Sequence, residues 1–163
     1  MRIRRVLFAP GTSAFFFDDQ RAIKAGAGHD GFDYSGKPVT PGFSRIRVAG
    51  ESLSVLLELD DGQVAAGDCA AVQYSGAGGR DPLFLAGSYL PLLEQHVRPL
   101  LEGAEVGPFR CMADRVCALA PGGKPLHTAL RYGLSQALLD ARARATGRLR
   151  CEVVCEEWGL PVD

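Results

Sequence analysis

The sequence predicts an α+β domain, with an antiparallel sheet in its first half and helices in its second half. Apolar residues recur at every second position from Leu53 to Leu59, which is the period of a strand with one buried face. After residue 82 the apolar spacing changes to three and four, which is the period of one helix face. Because strands and helices do not alternate along the chain, a parallel doubly wound sheet is excluded.

The predicted strands begin close to the N-terminus. Residues 2–8 ("RIRRVLF") form the first strand, which Pro10 and the glycine after it are expected to end. Strand signals return at 43–50 and become clear in a hairpin at 52–72, whose turn is the Asp-Asp-Gly of residues 60–62. Together these strands predict a small, mainly antiparallel sheet.

Two glycine-rich segments, residues 12–42 and 69–84, interrupt this pattern. The first mixes aromatic and charged residues and shows no sustained period, so we predict an ordered but irregular loop. The second leaves the hairpin and leads into the first helix. Because long loops on a packed domain usually carry function, we expect the functional residues in these two segments.

Three main helices and a short fourth are predicted in the second half. The first covers residues 90–100, and Pro99 is expected to bend or end it. The second covers 109–119, and the third covers 127–146 with a glycine cap after it. The short helix is expected at 151–158. The apolar stripe of the third helix comprises Leu130, Leu134, Ala137, Leu138 and Ala141.

Composition places the chain among ordinary single domains and excludes several functional classes. The 163 residues are 47% hydrophobic and 23% charged, which predicts one domain over residues 1–163. The 18 basic and 19 acidic residues nearly cancel, so we expect neither nucleic acid nor a membrane surface as partner. With no apolar run of about 18 residues, we expect a cytoplasmic protein. The 5 cysteines lack any C-x-x-C pair and are expected to be free, mostly buried thiols.

The spelling G-x-G-x-x-G at Gly26, Gly28 and Gly31 raises the question of a dinucleotide site. That motif binds pyrophosphate only between a buried strand and the start of a helix. Here it follows "FFFDDQRAIK" and precedes "FDYSGKPVTPG", and neither context fits. We therefore reject the dinucleotide hypothesis.

The second glycine-rich segment offers one candidate binding residue, Gln73. The segment lacks the Gly-Lys-Ser/Thr ending of a phosphate-binding loop, since Arg80 follows its last glycines. Gln73 lies at a strand end, beside glycines that allow close backbone approach to a ligand. The alternative is a long turn in which the Gln73 amide satisfies only backbone groups, and residue type alone favours that alternative.

The histidines and acidic residues form no complete catalytic or metal-binding pattern. His29 and the aspartate after it are expected to be solvated or to cap, His96 to lie on a helix surface, and His127 to cap a helix. No acidic residue falls at the spacing of a known calcium loop, so no metal ligand is assigned. The acidic residues considered are Asp18, Asp19, Asp60, Asp61 and Asp68.

Three long stretches nevertheless carry a specific resemblance. The stretches "FFFDDQRAIKAGAGHDGF", "GDCAAVQYSGAGGRDPLF" and "LHTALRYGLSQALLDARA" resemble, in this order, the N-terminal region of the methylaspartate ammonia-lyase family in the enolase superfamily. The resemblance implies an enolase-type N-terminal capping domain, with a three-stranded antiparallel sheet followed by a helical bundle. This agrees with the α+β class predicted from the residues.

The resemblance also implies a reaction for the complete enzyme. That family removes ammonia from L-threo-3-methylaspartate, a small dicarboxylate amino acid, to give mesaconate in glutamate degradation. It uses magnesium and a lysine base, which lie on a TIM-like barrel of about 250 residues, and it requires potassium. This chain reaches Asp163, about where that barrel would begin, so no catalytic or metal-ligating residue is assigned within it.

Of the family's substrate contacts, only the glutamine of "VQYSGAGG" lies in the cap, and it corresponds to Gln73. The resemblance thus favours Gln73 as a substrate contact over the turn alternative. The implied partners are a C-terminal barrel, in cis or in trans, and a second copy of the complete enzyme. An exposed apolar face for the barrel is expected on the helix at 127–146 and on "CEVVCEEWGL" after it.

Two functional hypotheses follow. In the first, the chain is the cap of a methylaspartate ammonia-lyase, is inactive alone and binds no cofactor by itself. In the second, it is a stand-alone, non-catalytic module that binds a small acid or another protein.

Overall fold

The computed structural model describes residues 1–71 and 81–161. Three strands form an antiparallel sheet in which the middle strand in sequence is also central in space, and two short strands form a separate hairpin. In chain order the strands are β1 (Ile3–Asp18), β2 (Gly28–Asp30), β3 (Asp33–Ser35), β4 (Arg47–Leu59) and β5 (Val64–Ala70). The large sheet has the order β1-β4-β5, which confirms the predicted α+β class and three-stranded antiparallel sheet.

Strand β4 organises this sheet because it pairs on both sides. Its pairing with β1 runs from Ile3 opposite Leu59 to Asp18 opposite Arg47. Its pairing with β5 confirms the predicted hairpin, and the turn glycine, Gly62, has a φ of 87°. The alternating residues of β4 all have 0% exposure and form one wall of the core: Leu53, Val55, Leu57 and Leu59.

The prediction that the first strand ends near residue 10 is wrong. Strand β1 continues to Asp18, with Pro10 paired opposite Leu53 and an irregular register between Thr12 and Phe16. Proline is tolerated because β1 is an edge strand, where a missing N–H need not interrupt the ladder. The rest of the segment predicted as an irregular loop contains a short helix and the β2–β3 hairpin.

The helices after residue 82 follow the predicted order, while the first short helix lies in the segment predicted as a loop. They are α1 (Gln20–Lys24), α2 (Ala86–Leu92), α3 (Arg98–Leu101), α4 (Phe109–Cys117), α5 (Thr128–Thr146) and α6 (Arg150–Trp158). Between α2 and α3, the N–H of Arg98 donates to the carbonyl of Leu93, which is the hydrogen bond of a π turn. The chain therefore stays helical through Pro99, and it leaves the helix only after Leu101. Gly147 caps α5 in the left-handed conformation, as predicted.

Helix α5 covers the sheet and contributes most to the core. Every residue of its predicted apolar stripe is buried: Leu130, Leu134, Ala137, Leu138 and Ala141. The helix approaches β5 backbone to backbone. A Cβ on Gly67 would lie 2.1 Å from the carbonyl oxygen of Gly133, and a Cβ on Gly133 would lie 2.6 Å from the backbone nitrogen of Cys69.

The cysteines are free, as predicted, but most of them are not buried. Cys69 alone is buried, while Cys111, Cys117 and Cys151 are exposed and Cys155 is half-buried. Burial, with a smaller contribution from the charge of Asp68, raises the pKa of the Cys69 thiol to about 12. Cys69 therefore acts as a core residue and not as a nucleophile.

We predict that Gly133→Ala destabilises the domain by roughly 3 kcal/mol, because the added methyl group forces helix and strand backbones apart. Gly87→Ala is the matched control, since a Cβ there meets no atom within 4 Å. That control should change stability by about 1 kcal/mol or less, in the stabilising direction. Urea denaturation followed by circular dichroism measures both. Equal stability of the two variants would contradict the close approach.

Candidate functional site

Both glycine-rich segments leave the large sheet at the same end. Asp18, the last residue of β1, pairs with Arg47, the first residue of β4. Ala70, the last residue of β5, pairs with Ser52, and β5 therefore ends beside the half of β4 that begins at Arg47. The connections 19–46 and 71–85 therefore both begin at the same end of the sheet. We call this end the loop end.

The two connections also touch each other. A Cβ on Gly42 would lie 3.6 Å from the Cβ of Leu83, so the end of the first connection packs beside the end of the second. Phe43 and Leu83 are both buried and belong to the main core. The ends of the two connections are therefore packed together on the hydrophobic core.

Asp19 holds the first connection in place. Its carboxylate is 1% exposed and accepts hydrogen bonds from the N–H groups of Val39 (2.6 Å) and Thr40 (2.8 Å) and from the Thr40 hydroxyl (2.6 Å). The same carboxylate accepts from the N–H groups of Arg21 and Ala22, which caps α1. One side chain thus fixes both the beginning and the end of the connection.

These hydrogen bonds also determine the ionisation of Asp19. Burial acts to raise its pKa, but the hydrogen bonds from the Thr40 hydroxyl and from the N–H groups of Thr40, Val39 and Ala22 outweigh burial. Together they lower the pKa of Asp19 from 3.8 to about 2. The carboxylate is therefore charged at neutral pH, and its function is structural.

Asp18 and Arg47 form a second anchor beside the first. The Arg47 guanidinium makes two parallel hydrogen bonds to the Asp18 carboxylate, Nε to Oδ1 at 2.7 Å and Nη2 to Oδ2 at 2.8 Å. Asp18 is 4% exposed, so the pair lies at the boundary of the core. Such bidentate pairs are stronger and better oriented than single charge contacts.

The hairpin β2–β3 carries exposed aromatic residues at this end. Phe32 in its turn is 56% exposed and packs edge-on against Phe16 of β1, with ring centroids 4.9 Å apart. Phe16 is itself 44% exposed. These two rings form an apolar patch between the hairpin turn and β1, and a partner could bury it.

Three contacts fix the chain at the end of the second glycine-rich segment and at the start of α2. Asp81 accepts from the N–H of Thr128 at 2.7 Å, and the Nε2 of His127 lies 3.1 Å from the carbonyl oxygen of Pro82. The Nδ1 of His127 accepts from the N–H of Ala129, which confirms the predicted capping role and leaves Nε2 to donate to Pro82. Further along, Glu51 of β4 accepts from the N–H of Ala86 at the start of α2.

The predicted site residues are placed as follows. Gln73, the candidate substrate contact, lies outside the described residues. His29 and Asp30 are exposed on β2, as expected for solvated residues. His96 is half-buried, so its expected surface position is only partly correct. From the sequence, Asp18 and Asp19 were considered only as metal ligands, and Arg47 was not considered. Their anchoring roles were therefore missed, although an aspartate directly before "QRAIK" is a helix N-cap signal.

Two features are absent from the described part of the chain. Among residues 1–71 and 81–161, no three histidine, cysteine or acidic side chains come together to hold a metal ion. Within the same ranges, no helix has the length and apolar character that a bilayer crossing requires.

We predict that Asp19→Asn weakens the domain by about 2 kcal/mol at pH 7, from the difference between pKa 3.8 and about 2. Because the folded pKa is the lower one, this stabilisation is complete above pH 4 and is lost as the pH falls toward 2. The wild type and the variant should therefore converge in stability on acidification. Urea midpoints at pH 7 and at pH 2.5 provide the measurement.

Asp60→Asn, in the exposed turn at the opposite end of the sheet, serves as the control. It should differ from the wild type by less than about 0.5 kcal/mol at both pH values. A gap between Asp19→Asn and the wild type that stays constant with pH would refute the assigned ionisation of Asp19.

Comparison with known proteins gives a consistent result. The model of the family "Methylaspartate ammonia-lyase N-terminus" matches residues 1–159. The methylaspartate ammonia-lyase of Citrobacter amalonaticus is 63% identical over 161 residues, which cover 99% of this chain and 39% of that protein. The chain thus spans about two fifths of the length of this relative.

Solved structures agree with the sequence comparison. A magnesium complex of β-methylaspartase from Clostridium tetanomorphum superposes with a TM-score of 0.97 at 54% identity, covering 100% of this chain and 40% of that one. The Citrobacter amalonaticus enzyme containing (2S,3S)-3-methylaspartic acid superposes with a TM-score of 0.95 at 63% identity, covering 99% of this chain and 39% of that one. The α+β capping fold is thereby confirmed, and the chain belongs to the methylaspartate ammonia-lyase N-terminal family.

Proposed function

We propose that residues 1–163 form the capping domain of a methylaspartate ammonia-lyase, which converts 3-methylaspartate to mesaconate and ammonia. In this proposal the reacting groups lie on a C-terminal barrel that this chain does not contain, and the chain alone is inactive. The observation that carries the proposal is the loop end, where the buried Asp18 and Asp19 fix the first connection and Gly42 of that connection packs beside Leu83 of the second. The match of the family model to residues 1–159 supports the proposed reaction.

In this proposal the cap excludes water from the active site and shapes the space for the substrate. The barrel carries the groups that react. A proton next to a carboxylate is very weakly acidic, so its removal needs strong electrostatic stabilisation of the anion that forms. Such stabilisation is larger in a site closed to water, which a lid provides. We propose that Phe16 and Phe32 face the barrel mouth, because both are exposed at the loop end.

Magnesium and potassium belong to the proposed complete enzyme. Magnesium, when bound, supplies positive charge that stabilises the developing anion. The described residues offer no cluster of metal-binding side chains. We propose that both cations are bound by the part of the enzyme outside residues 1–163.

We propose that Gln73 is the substrate contact of the cap. A carboxamide can donate to a substrate carboxylate and accept from a substrate ammonium group, so it suits an amino-acid dicarboxylate. The chain is anchored on both sides of this residue, by the pairing of Ala70 with Ser52 and by the contacts of Asp81 and Pro82 with the start of α5. These anchors support a fixed point of attachment for the substrate-binding segment.

The C-terminal part of the chain provides a surface for further contacts. The apolar face expected on the helix at 127–146 is buried against the sheet, apart from Tyr132, which is 57% exposed. The second stretch expected to carry this face, residues 151–160, has exposed apolar side chains at Trp158 (46%) and Leu160 (52%), and Leu149 just before it is 67% exposed. We propose that these residues contact the barrel. We also propose that the complete enzyme is a homodimer and is located in the cytoplasm.

The proposal can be tested by joining this chain to the C-terminal part of the Citrobacter amalonaticus relative. Mesaconate formation from 3-methylaspartate is followed by ultraviolet absorbance, with magnesium and potassium present. We expect activity in the joined protein and none in either part alone. Gln73→Ala should lower kcat/KM of the joined protein by at least about 10-fold, as expected for loss of a polar contact to a charged group.

Gln63→Ala is the matched control, because Gln63 is an exposed glutamine at the opposite end of the sheet. It should leave kcat/KM unchanged. A folded joined protein without activity would refute the lid function, and the stand-alone binding module would then be the better hypothesis.

A further inference from the structure

We propose that Arg47 is a positioning residue of the lid, which holds the β2–β3 hairpin in place before substrate binds. The inference rests on the proposed function, since it assigns the hairpin to the lid of that enzyme. It goes beyond that function by naming the side chain that sets the position of the lid and by predicting that the lid is preformed.

Arg47 touches three parts of the loop end with one guanidinium. Two of its nitrogens bond the Asp18 carboxylate, and the third, Nη1, donates to the carbonyl oxygen of Phe32 at 2.7 Å. The guanidinium carbon lies 4.7 Å from the centre of the Phe32 ring and 4.8 Å from the centre of the Tyr34 ring. The hairpin turn and one hairpin strand are thus tied to the end of β1.

The hairpin needs such a tie. Its strands have three residues each, and an isolated two-stranded hairpin of this size is at best marginally stable in water. Its residues are mostly exposed, so burial of apolar area contributes little. Besides Arg47, the ring of Phe16 in β1 contacts the ring of Phe32 in the hairpin turn.

The charges around Arg47 stabilise its charged guanidinium in this position. The hydrogen-bonded Asp18 carboxylate raises the pKa of Arg47, burial opposes this effect, and the charges of Asp18, Tyr34 and Asp33 add to it. The guanidinium is therefore permanently charged. A lysine could replace the charge but not the planar fork that reaches Asp18 and Phe32 together.

Removal of Arg47 alone would also leave the Asp18 carboxylate buried without its cation, which destabilises a fold by itself. The double variant Asp18→Asn/Arg47→Met separates the two effects. It removes the buried charge together with its partner, so stability should recover, while the bond to the Phe32 carbonyl and the stacking on both rings stay lost.

The test uses the joined protein, in the forms Arg47→Lys, Arg47→Met and the double variant. We expect KM for 3-methylaspartate to rise about 10-fold in all three, because substrate must then order the hairpin, and kcat to stay within about 2-fold. The melting temperature should fall in Arg47→Met and recover in the double variant. Arg45→Met, at an exposed arginine two residues away, should behave as the wild type.

Hydrogen exchange of the amides of residues 28–35 provides a readout independent of activity. We expect faster exchange in the double variant than in the wild type and in Arg45→Met. Unchanged exchange, or a KM that recovers together with the melting temperature, would overturn the positioning role. If the wild-type joined protein itself lacks activity, the proposed function fails, and the exchange experiment still decides whether Arg47 holds the hairpin.

Discussion

The loop end depends on two adjacent buried carboxylates at the end of β1. Neighbouring residues at a strand end point to opposite sides, so Asp18 and Asp19 reach different parts of the first connection. Asp18 reaches Arg47 and, through it, the hairpin, while Asp19 reaches Val39 and Thr40. One dipeptide therefore fixes a connection of almost thirty residues, and it does so without a large hydrophobic core of its own.

Carboxylates serve the same purpose elsewhere in the domain. The first N–H groups of a helix have no partner within the helix, so an acidic side chain from another element can bind them and fix the position of the helix. Glu51 of β4 does this for α2, and Glu157 of α6 does it for α4 by accepting from Phe109 and Arg110. Asp140 of α5 accepts instead from the N–H of Ala66 in edge strand β5. Although the net charge is close to zero, several acidic side chains hold neighbouring elements together by accepting hydrogen bonds from their backbones.

Periodicity predicted the regular part of this architecture and failed where contacts distant in sequence decide the structure. The spacing of Leu53 to Leu59 and the stripe from Leu130 to Ala141 each have a period that only one element satisfies. The extension of β1 past Pro10 could not be predicted, because an edge position is a property of the assembled sheet. The role of Arg47 could not be predicted either, because its partners Asp18 and Phe32 are distant in sequence.

The second connection depends on the core more directly than the first. Its end is held by Asp81 and Pro82 at the N-terminus of α5, and the position of α5 is set by the contact between Gly67 and Gly133. The strand β5 that leads into the same connection carries one of these two glycines. The positions of both ends of the segment that contains Gln73 therefore depend on one backbone contact, between Gly67 of β5 and Gly133 of α5. The packing of α5 on β5 therefore defines where the segment between residues 71 and 81 begins and ends.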